Sequence, residues 1–573
     1  MEDSNYWTRL SGRRVSRRAL LGGTGTLALG GAAAMVVGCG SSGGNGGLGS
    51  GETPKPVPSE PTIGGTVTQG RLLAALGIDP HIDLTGLDID LHLYPYLYGW
   101  KPGAEEAVFN NLAESLEIPS PTEFIFKLNP GFINSETGGG KPNPAAGEEI
   151  TSTDVKQSFV RRGTSITAPD KRFPRKIAGS SDPGALESAL ITPDPYTFQF
   201  TMADPFVPAV RDMANPTWGI VSAKVLDEYL YLSQDAFGAG PFQLEEFRGN
   251  ERIVVSRNPN YAQKGRPRMD GKTWIVITEP SSLYSAFRQG QHDINGSVLY
   301  RDDYDELSGE SDFRVFQTPS LFYPVVHLKM KSPFDDVRVR EALNLSINRD
   351  EIIAVIWRGE GEYNGPIQWP QQKWALPQDE IREFYRYDPE RAKELLADAG
   401  YEGGFTSRLK LPKVTGATFI ADTAVLLKEQ WSRVGINIEI DEVELGSYIS
   451  STLLPGNFEM TFFPNLPYDE PDRPLSFYHS LGVTGSGNWT NYTNPELDKL
   501  INAQSEEFDQ EKRQQIIYEA ERMILKEHGP QLTLTGGIQY SARWHYVHLP
   551  YEIGQDPPDD VGPIGTDDWT EKV

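Results

Sequence analysis

Residues 421–441 decide the fold: Ala421-Asp422-Thr423-Ala424-Val425-Leu426-Leu427-Lys428-Glu429-Gln430-Trp431-Ser432-Arg433-Val434, then Gly435, then Ile436-Asn437-Ile438-Glu439-Ile440-Asp441. The first run is helical and stops at Gly435, a residue suited to the left-handed turn that ends helices. The second alternates apolar and polar side chains with period 2, as a half-buried strand does. A helix feeding straight into a strand is an α-then-β unit. Working outward, Phe124-Ile125-Phe126-Lys127-Leu128 and Tyr196-Thr197-Phe198-Gln199-Phe200 read as aromatic strands. Trp274-Ile275-Val276-Ile277 reads as a strand buried on both faces. Helix starts are marked by Thr151-Ser152-Thr153-Asp154 (a capping box), Asp388-Pro389-Glu390 and Asn494-Pro495-Glu496. Strand and helix signals intermingle along the whole body, from about Ile63 to Ile553, which predicts an open α/β fold. The polar stretch 138–149 reads as a surface loop and the acidic tail after Gly554 as poorly ordered.

The 573 residues, 38% hydrophobic, are more than one core uses, so two or three domains are expected. The formal charge is -26; residues 1–38 carry a local +3, leaving about -29 on the rest. Such an acidic surface repels nucleic acid and favours solubility. Cys39 is the single cysteine, which excludes an internal disulfide or a CxxC site. Its position is informative. Arg13, Arg14, Arg17 and Arg18 form a basic head, and the uncharged, Gly- and Ala-rich residues 20–37 read as the apolar part of a signal peptide. Ser16-Arg17-Arg18-Ala19-Leu20-Leu21 resembles a twin-arginine export signal, and Val36-Val37-Gly38-Cys39 resembles a bacterial lipobox. Cys39 is therefore the expected lipidation site, with two acyl chains giving stable anchoring. Residues 39–61, rich in Gly, Ser and Pro, read as a tether.

Motifs for catalysis are missing. There is no HExxH, and the only GxSxG, Gly40-Ser41-Ser42-Gly43-Gly44, lies in the tether without a flanking strand or helix. Gly271-Lys272-Thr273 looks like the end of a P-loop, but the glycine needed five places earlier is Arg266, so it reads as a turn. His545-Tyr546-Val547-His548 has no cysteine near it and reads as surface decoration. The expectation is a non-enzyme without cofactor or metal.

Several segments, in order, resemble the family 5 extracellular solute-binding proteins, the dipeptide and oligopeptide binders of bacterial ABC importers. They are Leu112-Ala113-Glu114-Ser115-Leu116, Phe124 to Gly131, Thr153 to Phe159, Gly238-Ala239-Gly240-Pro241-Phe242, and Arg257-Asn258-Pro259-Asn260-Tyr261. Phe334-Asp335-Asp336-Val337-Arg338-Val339-Arg340-Glu341-Ala342-Leu343 and Asn491-Tyr492-Thr493-Asn494-Pro495-Glu496-Leu497-Asp498 complete the series. The resemblance implies a two-lobed, periplasmic-binding-protein type II-like α/β fold, with an extra subdomain inserted in the first lobe near residues 100–205. The expected layout is a signal peptide over 1–38, the anchored linker over 39–61, a first lobe over 62–310 and a second over 311–520. Residues 521–573 then return to the first lobe. The resemblance also implies that Gly240-Pro241-Phe242 is a turn feeding a strand and that residues 335–349 form a packed helix. The implied function is that of an exported, monomeric lipoprotein, facing the periplasm or cell exterior, that captures oligopeptides between the lobes and delivers them to an ABC transporter permease.

In peptide-binding members an Asp before the final helices pairs with the peptide α-amino group. Here that position is Pro467, within Pro467-Tyr468-Asp469-Glu470-Pro471-Asp472. Asp469 or Glu470 substitutes for it, or the ligand lacks a free amine. Trp218, Tyr323, Trp369, Tyr468 and Trp489 are the candidate aromatic walls, with Trp374 beside Trp369. Aromatic walls suit peptide side chains and also stack on sugars. An oligosaccharide, another organic solute or a nickel chelate therefore stands as the alternative ligand. A cell-surface hydrolase or a receptor without transport is the remoter alternative.

Overall fold

The computed structural model describes residues 61–83, 85–100, 107–108, 111–165, 172–180, 182–320, 324–370, 373–414, 418–463, 470–484, 487–549 and 567–572. The signal, Cys39 and nearly all of the tether lie outside these residues. The chain divides into two compact units, one of Met1–Thr318 with Tyr540–Val573, the other of Pro319–Gln539. The crossings fall at 318/319 and 539/540 rather than at the 310/311 and 520/521 read from sequence. Helix Gln510–Lys526 packs on helix Pro495–Glu506, and strand Gln531–Thr533 pairs with Val325–Leu328, which keeps residues 521–539 in the second unit.

The first unit is built on a mixed sheet in the order Phe242–Arg248, Arg252–Arg257, Gly271–Val276, Thr66–Arg71, Ile294–Leu299, the end of strand Thr535–Trp544 from Tyr540 onward, and Phe313–Pro319. Thr66–Arg71 runs parallel to both of its neighbours, with Thr66 opposite Gly271 and Gln69 opposite Ile294. Gly271-Lys272-Thr273 is thus the start of a strand and not a turn. Trp274 on that strand is fully buried, but Ile275 and Val276 keep partial exposure, so the strand is not buried on both faces as its apolar run suggests. Phe242 opens its strand directly after Gly240 and Pro241.

A separate antiparallel sheet, Ala113–Ser120, Glu123–Leu128, Thr197–Thr201 and Leu190–Asp194, spans residues 113–201. Its core is aromatic. Phe124 stacks on Phe200 at 5.1 Å, and Phe159 of helix Ser152–Thr164 meets Phe198 edge-on at 4.9 Å. Each such ring, fully buried, stabilises by about 1.5–3 kcal/mol. The helix starts where the capping box predicts: Thr151 N–H donates to Asp154 Oδ2 at 2.7 Å.

The second unit carries a five-stranded sheet in the order Ile436–Glu444, Phe405–Lys413, Met460–Phe462, Val325–Leu328 and Gln531–Thr533. Phe405–Lys413 and Ile436–Glu444 are parallel, linked by helix Thr418–Ser432, whose Trp431 is wholly buried. This is the α-then-β unit of residues 421–441. Residues 335–349 form helix Val337–Leu345, capped by Asp336, rather than one unbroken helix. A second helix, Arg349–Ile356, starts at Asn348, whose side chain accepts Glu351 N–H and begins a new cap. Asp388 and Asn494 cap helices Pro389–Asp398 and Pro495–Glu506 as their Asx-Pro openings predict.

The acidic tail corrects one expectation. Residues 567–572 are docked, not loose: Trp569–Thr570 pairs with Val547–His548, and the Trp569 ring stacks on His548 at 3.9 Å. Asp567 binds both Arg266 and Arg268, at 2.9 and 3.1 Å. Among the described residues, no helix is long and apolar enough to cross a membrane and no cluster of ligands could hold a metal ion.

Candidate functional site

The candidate residues separate into those packed inside a unit and those on the loops of the second unit. Trp218 belongs to the first group. Asn215 caps the short 3-10 turn Pro216–Trp218, which drives the indole between Phe159 at 4.8 Å and Phe173 at 5.4 Å. At 9% exposure it is a core side chain of the first unit. Tyr323, Tyr468, Asp469 and Pro467 lie outside the described residues.

Glu470 is buried and already engaged. Its Oε1 is paired with an Arg513 amino group and accepts Asp472 N–H at 3.1 Å. Arg513 also donates to Gln504 O and Oε1, both at 3.0 Å, and Gln504 Nε2 reaches Asp472 Oδ1 at 2.5 Å. The guanidinium covers the Trp374 ring at 5.1 Å. Two buried charges are kept only when paired and hydrogen-bonded, and this network pairs them. Helix Gln510–Lys526 supplies Arg513 from 43 residues further along the chain, so nothing local in the sequence announces it.

Trp489 is half-buried and surrounded by rings, with His327 at 5.7 Å, Phe477 at 5.6 Å and Phe463 at 6.3 Å. Its carbonyl accepts Lys329 Nζ at 2.8 Å, and Met330 N–H donates to Thr490 O at 2.8 Å, which pins the segment to the end of strand Val325–Leu328. Gly487, at φ +101, lets Phe477 approach; a methyl there would lie 2.6 Å from the Phe477 ring. Burial holds the imidazole of His327 down to about 4, so it is neutral at physiological pH.

Trp369 sits on the loop between strand Gly361–Tyr363 and helix Gln378–Phe384. Two groups fix that loop. Asn364 Oδ1 accepts Trp369 N–H at 3.0 Å. The Glu521 carboxyl, buried on helix Gln510–Lys526, accepts Ile367 N–H at 3.1 Å and Leu376 N–H at 3.0 Å, one on each side of Trp369. Burial raises Glu521 to about 8, against the pull of those two backbone donors. Asn364, Arg513 and Glu521 are the residues that sequence reading missed. The available signals were a polar Asn before Gly365-Pro366 and an acid on the buried face of a helix.

The second unit thus offers two half-buried tryptophans, Trp369 and Trp489, on braced loops, with the Lys329 ammonium beside Trp489. Rigid aromatic surface with a few fixed polar groups suits recognition of a small organic ligand. Solved structures share this fold. The peptide-bound periplasmic binding protein DppA from Helicobacter pylori, associated with an ABC transporter, superposes with a TM-score of 0.73 at 22% identity, covering 89% of this chain and 99% of that one. AgaA from A. tumefaciens R10, in complex with agropinic acid, gives 0.73 at 22% identity, covering 86% and 96%. The fold is therefore that of the type II periplasmic binding proteins. The chain belongs to the bacterial extracellular solute-binding proteins, family 5, whose model matches residues 108–488. Di/tripeptide-binding protein 1 of Pseudomonas aeruginosa is 24% identical over 496 residues, 82% of this chain and 89% of the relative.

Proposed function

We propose that this protein captures short peptides outside the cytoplasmic membrane, held there by a lipid on Cys39, and passes them to an ABC importer permease. The observation that carries the reading is its similarity, along 82% of the chain, to a di/tripeptide-binding protein. The braced tryptophan loops supply the aromatic surface such a ligand uses. Cys39 follows Val36-Val37-Gly38 at the end of an uncharged stretch, which supports the anchor.

A second reading keeps the transport role and changes the ligand to another organic solute. Pro467 stands where a peptide binder is expected to place its amine-pairing Asp, and the described Glu470 is committed to Arg513. A thermal-shift screen of the full chain with di- to pentapeptides, oligosaccharides, opine-type acids and nickel–histidine chelates separates the two. A ligand at 100 times its dissociation constant adds about 2.7 kcal/mol, or roughly 5–10 °C for a unit of this size. Stabilisation by peptides supports the first reading; stabilisation by a non-peptide alone replaces it with the second.

A further inference from the structure

Strand Thr535–Trp544 opens Thr535-Gly536-Gly537, and an indole lies against each glycine. A methyl placed on Gly537 would meet the Trp357 ring at 2.3 Å. One placed on Gly536 would lie 2.8 Å from Trp369 Nε1. The two indoles differ in one respect. Trp357 Nε1 donates to Thr535 Oγ1 at 3.0 Å, whereas Trp369 Nε1 is buried without an acceptor among the described residues.

A second donor shares that condition. Asn364 is fully buried, its Nδ2 has no acceptor among the described residues, and it lies 3.1 Å from the same methyl position on Gly536. The amide orientation is fixed, because Oδ1 accepts Trp369 N–H; the flipped amide would set donor against donor. The backbone of Asn364 is fixed as well, with its N–H on Leu534 O at 2.9 Å and its carbonyl accepting from Thr533 Oγ1 at 2.8 Å. Glu521 holds the loop on both sides of Trp369. Two rigid, buried donors beside one glycine, without an acceptor among the described residues, are a costly arrangement for stability alone, and such groups call for a functional explanation.

We propose that Asn364 Nδ2 and Trp369 Nε1, packed beside Gly536, form a two-donor subsite for an acceptor oxygen of the ligand, a carboxylate or amide carbonyl. The inference rests on the reading of this chain as a binder of small organic solutes. Both protein groups only donate at this point, so an ammonium cannot bind there and a group with lone pairs can. The missing side chain at Gly536 is part of the subsite, since a methyl there would press on both donors.

The test uses the full chain with di- to tetra-alanine peptides and their C-terminal amides, by calorimetry and by the indole N–H signal that disappears in W369F. Binding should shift that signal downfield. W369F, which keeps a ring and removes the donor, should weaken binding about tenfold, the size of one hydrogen bond. G536A should weaken it at least as much and also lower the melting temperature by several degrees, because the methyl presses on both groups, so W369F is the variant that isolates the donor. A free-acid preference that shrinks in W369F identifies the carboxylate as the partner; equal weakening of acid and amide identifies a backbone carbonyl. Peptide binding that is unchanged in both variants, with a stationary indole signal, overturns the subsite alone. If no alanine peptide binds the wild type, the peptide reading falls, and the subsite falls with it unless the opine-type acids of the screen bind and shift the indole.

Discussion

Replacing Glu470 discriminates directly between a ligand anchor and a structural ion pair. Glu470 is 6% exposed and Arg513 4%, and the carboxylate is the only charged partner within ion-pair distance of that guanidinium among the described residues. In E470A the guanidinium keeps Gln504 but loses its counter-charge inside the second unit. Breaking a buried pair from one side costs about 3–5 kcal/mol, because the remaining charge is left uncompensated. For a unit of about 200 residues that corresponds to roughly 6–20 °C in melting temperature. E470Q keeps the acceptor for Asp472 N–H and should lose about 1–3 kcal/mol. E470M/R513M removes both charges and should recover most of the loss. The assay is thermal unfolding followed by tryptophan fluorescence, beside calorimetry with a bound ligand. A melting temperature unchanged in E470Q, together with a tenfold loss of affinity, would refute the structural assignment and restore Glu470 as the anchor.

Other outcomes follow from the same reasoning. Glu521 has its carboxyl raised to about 8 from an ordinary 4.5, so its contribution is fully present below 4.5 and is lost as pH rises through 8. Melting of the second unit should decline over that window, by up to about 1.4 kcal/mol per pH unit, and E521Q should flatten the profile. In the first unit Arg161 holds Asp79 through two bonds of 2.7 and 2.5 Å with both residues buried; D79A should cost about 3–5 kcal/mol in urea unfolding. W569A removes a buried ring from the docked tail and should destabilise the first unit by about 3–5 kcal/mol, measured by calorimetric melting.

How much of this was legible in the chain depends on how local the signal is. The caps at Thr151, Asp388 and Asn494 are written in three or four consecutive residues each, and the helices start there. The alternation of residues 436–441 gives a strand because one face is buried by helix Thr418–Ser432. The unit boundary at 539/540 has no such mark, since it cuts through an unbroken ten-residue strand. The docking of Trp569 depends on His548, which no local pattern ties to it. Site residues suffer most. Trp218 reads as an aromatic wall, but its burial is set by Phe159 and Phe173. Glu470 reads as an anchor by its charge, which Arg513 neutralises from a distant helix. The pairing of Asn364 with Trp369 is local, yet what makes it interesting is Gly536, far away on another strand.

The most direct test of the central claim is native mass spectrometry of the full chain as purified, before and after addition of a mixed peptide pool. The account predicts retained adducts whose masses and fragmentation are those of short peptides, exchanging with the added pool. Retention of a non-peptide mass that the pool does not displace would contradict it.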